Sequence, residues 1–300
     1  WEEPQAVVGS YLHQYAYPDW FKDHQDNGKK LTESYSHSAG EASCIQLRGE
    51  YVYVAEGKNG LRIYDAANIA NKGYSQRFQT SPFSGFGQNT NLPSKNATCV
   101  SLLTTQPIRP AQNTGDLMRK ENLEQPFSPI YGFAYVTDAV EGLIVTDIDT
   151  LVDGEPRNNF IKRALTWNEN GVLDGVRHIV NAGYYFYLST PKGVVVLDMQ
   201  DPMKPKYLST IPITDARAAA VQFRYLFVTS GKGLQVVDIT DFAKPVVTAA
   251  GIPLKDAQKL HVARTYAYVA AGAEGLAIIN VTNPEAPSVY QMYTAKGTLN

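Results

Sequence analysis

The sequence predicts an all-β protein, a β-propeller of four-stranded antiparallel blades, on three observations. Asp215–Leu254 contains four short runs, AAAVQF, YLFVTS, LQVVDI and PVVTAAGI, rich in β-branched and aromatic residues and separated by Gly, Asp, Lys or Pro joints. Such runs read as consecutive antiparallel strands. The same arrangement recurs at Asp174–Ile213 and Asp256–Thr294, with further centres at Tyr51–Asp65 and Phe133–Asp147. Glycines 60, 142, 193, 233 and 275 each precede by five residues Asp65, Asp147, Asp198, Asp238 or Asn280. A period near forty residues with four strands per repeat indicates propeller blades, because one such sheet can bury its faces only against its neighbours.

The chain is expected to form one propeller domain over residues 1–300, with five repeats visible and six or seven blades in the complete protein. The expected blades are 41–80, 96–165, 174–213, 215–254 and 256–294. Residues 1–11 read as an outer strand of a shared or preceding blade, since Pro4 stands to QAVVGS as Pro205 does to KYLST. The C-terminal AKGTLN reaches only the connection into another repeat, so a longer chain is expected. The alternative is a closed five-bladed ring with residues 1–11 as an extra strand.

Residues 12–40 form a polar, aromatic connection without periodicity, longer than ordinary loops and therefore a candidate functional or capping segment. The first repeat opens at Ala42–Leu47, with its outer strand expected at Tyr74–Thr80 and a loop-like Gly/Ser/Asn/Pro link after it. In the second repeat ATCVSLL aligns with ASCIQL, but the second strand waits until Tyr131. The intervening insertion, 104–130, contains DLMRKENLEQ, about two turns of helix with Asp116 as N-cap. Insertions on repeat scaffolds often form the binding surface.

The segments GLQVVDITDFAKPVV, GVVVLDMQDPMKPKYL and GLAIINVTNPEAPSV resemble the LVIVD repeat, a propeller-type repeat found mostly in bacterial and archaeal cell-envelope proteins. The resemblance extends over about five repeats, strongest from Gly142 onward. It implies a propeller and a cell-surface, extracellular or periplasmic location, and brings no catalytic signature.

Composition agrees with one large all-β domain: 300 residues, 44% hydrophobic and 19% charged. A formal net charge of −2 gives no electrostatic reason to expect nucleic acid. No eighteen-residue apolar run appears, so no transmembrane segment is expected. The chain starts at Trp1 without a basic and apolar leader, so a signal segment is either removed or never present. Two cysteines are too few for a disulfide scaffold.

Alignment of the inner strands places Cys44, Cys99, His178, Ala218 and Lys259 in equivalent positions. Cys44, Cys99 and His178 form a ligand set acceptable to zinc or copper, against the plainer reading of small buried cysteines and a hydrogen-bonded histidine. Arg177 and Arg217 match one residue earlier, with Asp174, Asp215 and Asp256 entering their repeats. With His178 and Lys259 they are candidates for an anion site or catalytic pocket at a channel mouth, and more often such residues join neighbouring blades by ion pairs. Asp147, Asp149, Asp153 and Glu155 cluster as calcium candidates without an EF-hand frame, and Asp147 has a competing role in capping its turn. His13, His24 and His37 with Asp19, Asp23 and Asp26 fit no metal template. The acceptor motifs at Asn96 and Asn280 fall in or beside strands and are attributed to chance.

Common nucleophile, P-loop, dinucleotide and haem-attachment motifs are not found. No cofactor is expected, with calcium or a transition metal as minor alternatives. The reading is a non-enzymatic scaffold that contacts a protein partner through 12–40 and 104–130. A multihaem cytochrome or a surface-layer component of the envelope would suit. The alternative is a propeller hydrolase or lyase using the channel-mouth residues.

Overall fold

The computed structural model describes residues 41–66, 91–104, 129–148, 151, 161–294 and 297. Those residues build five four-stranded sheets, each a meander in which strands neighbour one another in chain order, the blade pattern of a β-propeller. Blade 1 comprises β1 (Cys44–Arg48), β2 (Tyr51–Ala55), β3 (Leu61–Asp65) and β4 (Asn91–Leu92). Blade 2 comprises β5 (Ala97–Ser101), β6 (Phe133–Asp138), β7 (Gly142–Asp147) and β8 (Lys162–Trp167). Blade 3 comprises β9 (His178–Ala182), β10 (Tyr185–Thr190), β11 (Gly193–Asp198) and β12 (Lys206–Ile211). Blade 4 comprises β13 (Ala218–Gln222), β14 (Tyr225–Ser230), β15 (Gly233–Asp238) and β16 (Val246–Ile252). Blade 5 comprises β17 (Leu260–Ala263), β18 (Tyr266–Ala270), β19 (Leu276–Asn280) and β20 (Ser288–Tyr293).

The chain divides into two compact units. One holds Trp1–Tyr135 and Val145–Leu165, the other Val136–Ile144 and Thr166–Asn300. In the first unit, Gly57 and Ala97 exchange backbone hydrogen bonds of 3.0 and 2.8 Å, tying blade 1 to β5. Arg48, although buried, donates from Nη1 to the Tyr131 carbonyl at 2.8 Å. The fourth strand of blade 1 differs from the expectation. Asn91–Leu92 pairs with Arg62 and Leu61, inside the stretch whose composition reads as a loop. Leu92 is buried there, and a two-residue ladder is too short to produce an alternating sequence pattern. The outer strand expected at Tyr74–Thr80 lies outside the described residues, as do residues 1–40 and most of 104–130.

In the second unit, period-two alternation accounts for burial on both faces of a blade. Leu226, Val228, Val237 and Ile239 of blade 4 pack with Tyr187, Val194, Val196 and Ile211 of blade 3. Phe227, Leu234 and Val236 point the other way, onto Ala267, Val269, Ala277 and Ile279 of blade 5. Large side chains from blade 4 thus meet the small alanines of blade 5. The outermost strand, β20, exposes all six of its side chains.

One backbone device recurs. A Cβ on Gly193, Gly233 or Gly275 would lie 2.2–2.4 Å from the carbonyl oxygen of Ile211, Ile252 or Tyr293, at the end of the fourth strand. Glycine therefore permits the hairpin and the outer strand to approach. After the third strand, Asp198, Asp238 and Asn280 each accept a backbone N–H two residues on, at 2.8–2.9 Å. Asp201, Asp241 and Asn283 repeat this at 3.0–3.2 Å before the proline that starts the fourth strand. These Asx turns explain the Asp/Asn spacing.

Gly233→Ala tests the close approach. At φ +112° and 2.2 Å from the Ile252 oxygen, the added methyl should cost at least roughly 1–3 kcal/mol. Chemical denaturation checks this, and an unchanged unfolding midpoint would refute it.

Candidate functional site

The polar seam of the second unit is built at the entrances to the inner strands. Arg177, Arg217 and Gln258 occupy the same register: their amides donate to the carbonyls of Ser189, Thr229 and Ala270 at 2.9, 2.8 and 2.7 Å. Each side chain then meets the aspartate that opens a repeat. Arg177 Nη1 lies 2.5 Å from Asp215 Oδ1. Arg217 holds Asp215 Oδ2 through Nε and Nη2, both at 3.1 Å. Its Nη1 reaches Asp256 Oδ1 at 2.5 Å and the Ala257 carbonyl at 3.1 Å. Gln258 Nε2 donates to the same Asp256 oxygen at 2.7 Å. The result is a chain Arg177–Asp215–Arg217–Asp256–Gln258 stitching blades 3, 4 and 5. Asp174 does not join it and instead accepts from Asn168 Nδ2 at 2.8 Å.

Arg177, Asp215, Arg217, Gln258 and Lys259 line a pocket of about 360 Å3. Three of the four candidate residues, Arg177, Arg217 and Lys259, therefore share one pocket. His178 is not among its walls. Its Nδ1 accepts from the Ala219 amide at 3.4 Å, a tie between β9 and β13. Burial and the charge of Lys259 lower the His178 pKa to about 3, so the imidazole is neutral at physiological pH. Burial likewise lowers the pKa of Lys259. The hydrogen bond from Arg177 holds the Asp215 carboxyl below its ordinary value, with Arg217 adding to the effect.

The two cysteines are not a pair of separate thiols. Cys44 of β1 and Cys99 of β5 form a disulfide across 55 residues of sequence, within the first unit. A disulfide sulfur is not a thiolate, so in this state neither cysteine supplies the ligand expected of a Cys44, Cys99 and His178 metal set. Their equivalence in neighbouring inner strands was the available signal. Among the calcium candidates, Asp147 Oδ2 lies 3.5 Å from Lys162 Nζ. Asp149, Asp153 and Glu155 lie outside the described residues. Gln258 and the double engagement of Asp215 and Asp256 escape motif reasoning, although DAR at 215–217 and DAQ at 256–258 mark the repeated register.

Asp215→Asn should reduce stability at pH 7, because the native state favours the ionised carboxylate more than the unfolded chain does. That contribution is fully present above the ordinary value of 3.8 and disappears as pH falls through the lower native pKa. Denaturation of both proteins between pH 7 and pH 2 should show the gap closing below about pH 4. A gap independent of pH would contradict the assignment.

The LVIVD repeat family matches residues 39–80, 214–249 and 255–295. No curated protein sequence matches the chain. Among solved structures, the chain is similar to the computationally designed Ika8 protein, with TM-score 0.52 and 7% identity, covering 86% of this chain and 63% of that one. A functionally unknown protein from Desulfotomaculum acetoxidans aligns with TM-score 0.57 and 10% identity over 86% of this chain and 73% of that one. The periplasmic gluconolactonase of Pseudomonas aeruginosa aligns with TM-score 0.53 and 11% identity over 84% and 69%. At such identities the likeness concerns the fold. Blade 3, outside the matched segments, has the same meander, glycine approach and Asx turns as blades 4 and 5. Three segments of the chain thus match the LVIVD repeat, and its described residues form the four-stranded blades of a β-propeller.

Proposed function

We propose that the protein is a non-enzymatic interaction module of the cell surface or periplasm, contacting another envelope protein through residues 12–40 and 104–130. The observation that carries this reading is the Cys44–Cys99 disulfide, since disulfides persist chiefly in oxidising compartments outside the cytosol. The second insertion connects β5 to β6, the innermost hairpin of blade 2, and such a site on a repeat scaffold suits partner recognition. The arginines and aspartates of the seam are already engaged with one another, a structural use of charge. No helix among the described residues is long and apolar enough to cross a membrane. A multihaem cytochrome or a surface-layer component would be a suitable partner class.

The hydrolase or lyase alternative requires His178 to act on a substrate. It predicts loss of turnover without loss of folding in His178→Ala, whereas the scaffold reading predicts no effect on partner capture.

Two measurements check the proposal. Native protein alkylated before lysis and then denatured should show no free thiol and should fractionate with the envelope. Two free thiols in a cytosolic fraction would refute the location. Deleting residues 104–130 should leave the β-sheet circular dichroism intact and abolish capture of the envelope partner. Undiminished capture would refute the contact surface.

A further inference from the structure

The seam leaves one positive charge in excess. Arg177, Arg217 and Lys259 carry three, while Asp215 and Asp256 return two. The cations are not equally occupied. Arg217 uses Nε, Nη1 and Nη2 on the two carboxylates and the Ala257 carbonyl. Arg177 commits only Nη1, leaving most of its five N–H donors for another acceptor. Among the described residues, no carboxylate pairs with the Lys259 ammonium, although that side chain is half-buried.

We propose that this pocket binds a small oxyanion-bearing molecule, a carboxylate or phosphate compound, whose charged group is held by Lys259 and the free edge of Arg177. Arg217 is a positioning residue: fixed between Asp215 and Asp256, it holds one wall in place and has little capacity to follow a ligand. Gln258 Nε2, with one hydrogen committed to Asp256, retains a second for a neutral contact.

Three physical arguments support the assignment. A partly desolvated ammonium without a counter-ion is costly, and an incoming anion relieves that cost. A planar guanidinium with unused donors presents forked geometry suited to carboxylate or phosphate oxygens. A volume of about 360 Å3 falls at the small end of ligand pockets, so the occupant is a small molecule or a single charged group. A metal cation is disfavoured by the same charges, since both carboxylates already face arginine. The residues of this site belong to neither insertion, so the proposal stands or falls independently of the protein-contact reading.

Isothermal titration of the full chain at low ionic strength, with inorganic phosphate in one series and succinate in another, tests the proposal. Saturable one-to-one binding of at least one anion is expected. Lys259→Gln and Arg177→Gln should each weaken it about tenfold or more, and Lys206→Gln, on an outer strand, should not change it. Saturation by only one anion assigns the phosphate or the carboxylate class. Thermal unfolding monitors the fold, and Lys259→Gln, which removes no ion pair seen in the structure, provides the clean comparison if Arg177→Gln destabilises the protein. Absence of saturable binding by either anion, or wild-type affinity in Lys259→Gln, would overturn the proposal.

Discussion

The constraint on which the rest depends is that each blade of the second unit is apolar on both faces. In β11 and β15 the buried residues alternate sides while remaining hydrophobic, so no single sheet could expose either face without a large loss of burial. Blade 4 meets this requirement by contributing Leu226, Val228 and Val237 to one shared core and Phe227, Leu234 and Val236 to another. Close approach of the sheets then places the strand entrances near one another. The ion-pair chain is a consequence: it satisfies the polar groups brought together where the apolar cores end.

This order of cause bears on the site. The seam charges are between one-fifth and just over two-fifths exposed, so their pairing adds modestly to stability compared with the buried cores. Its stronger effect is geometric. Arg217, clamped by two carboxylates, fixes one side of the pocket, while Lys259 and Arg177 retain capacity to interact with a ligand. The disulfide of the first unit acts in a similar way, joining β1 and β5 through residues far apart in sequence.

Features carried by local chemistry were legible before the structure. The recurring glycines and the Asp or Asn five residues on marked each repeat, and Asp147 read as the cap of its turn, because each depends on residues within one repeat. The shared register of Arg177 and Arg217, with Lys259 one position later in its own repeat, was likewise visible in the alignment. Features that depend on how separate strands meet were not. Asn91–Leu92 becomes a fourth strand through contact with β3, although its neighbours have loop composition. Cys44 and Cys99 align in equivalent inner-strand positions, but their pairing as a disulfide shows only once β1 and β5 are adjacent. His178 and Lys259 occupy equivalent positions, yet Lys259 lines the pocket while the imidazole accepts the Ala219 amide. Periodicity locates the backbone, and packing decides where the side chain ends.

The direct test of shared burial is native-state hydrogen exchange in Phe227→Ala. Phe227 belongs to β14 but packs in the core that contains Ala267, Val269 and Ile279 of blade 5, and removing the ring should cost about 3–5 kcal/mol. If the blades depend on one another for burial, amides in β18 and β19 should lose protection together with those in β14. Loss confined to blade 4, with blade 5 protected as in the wild type, would contradict the account.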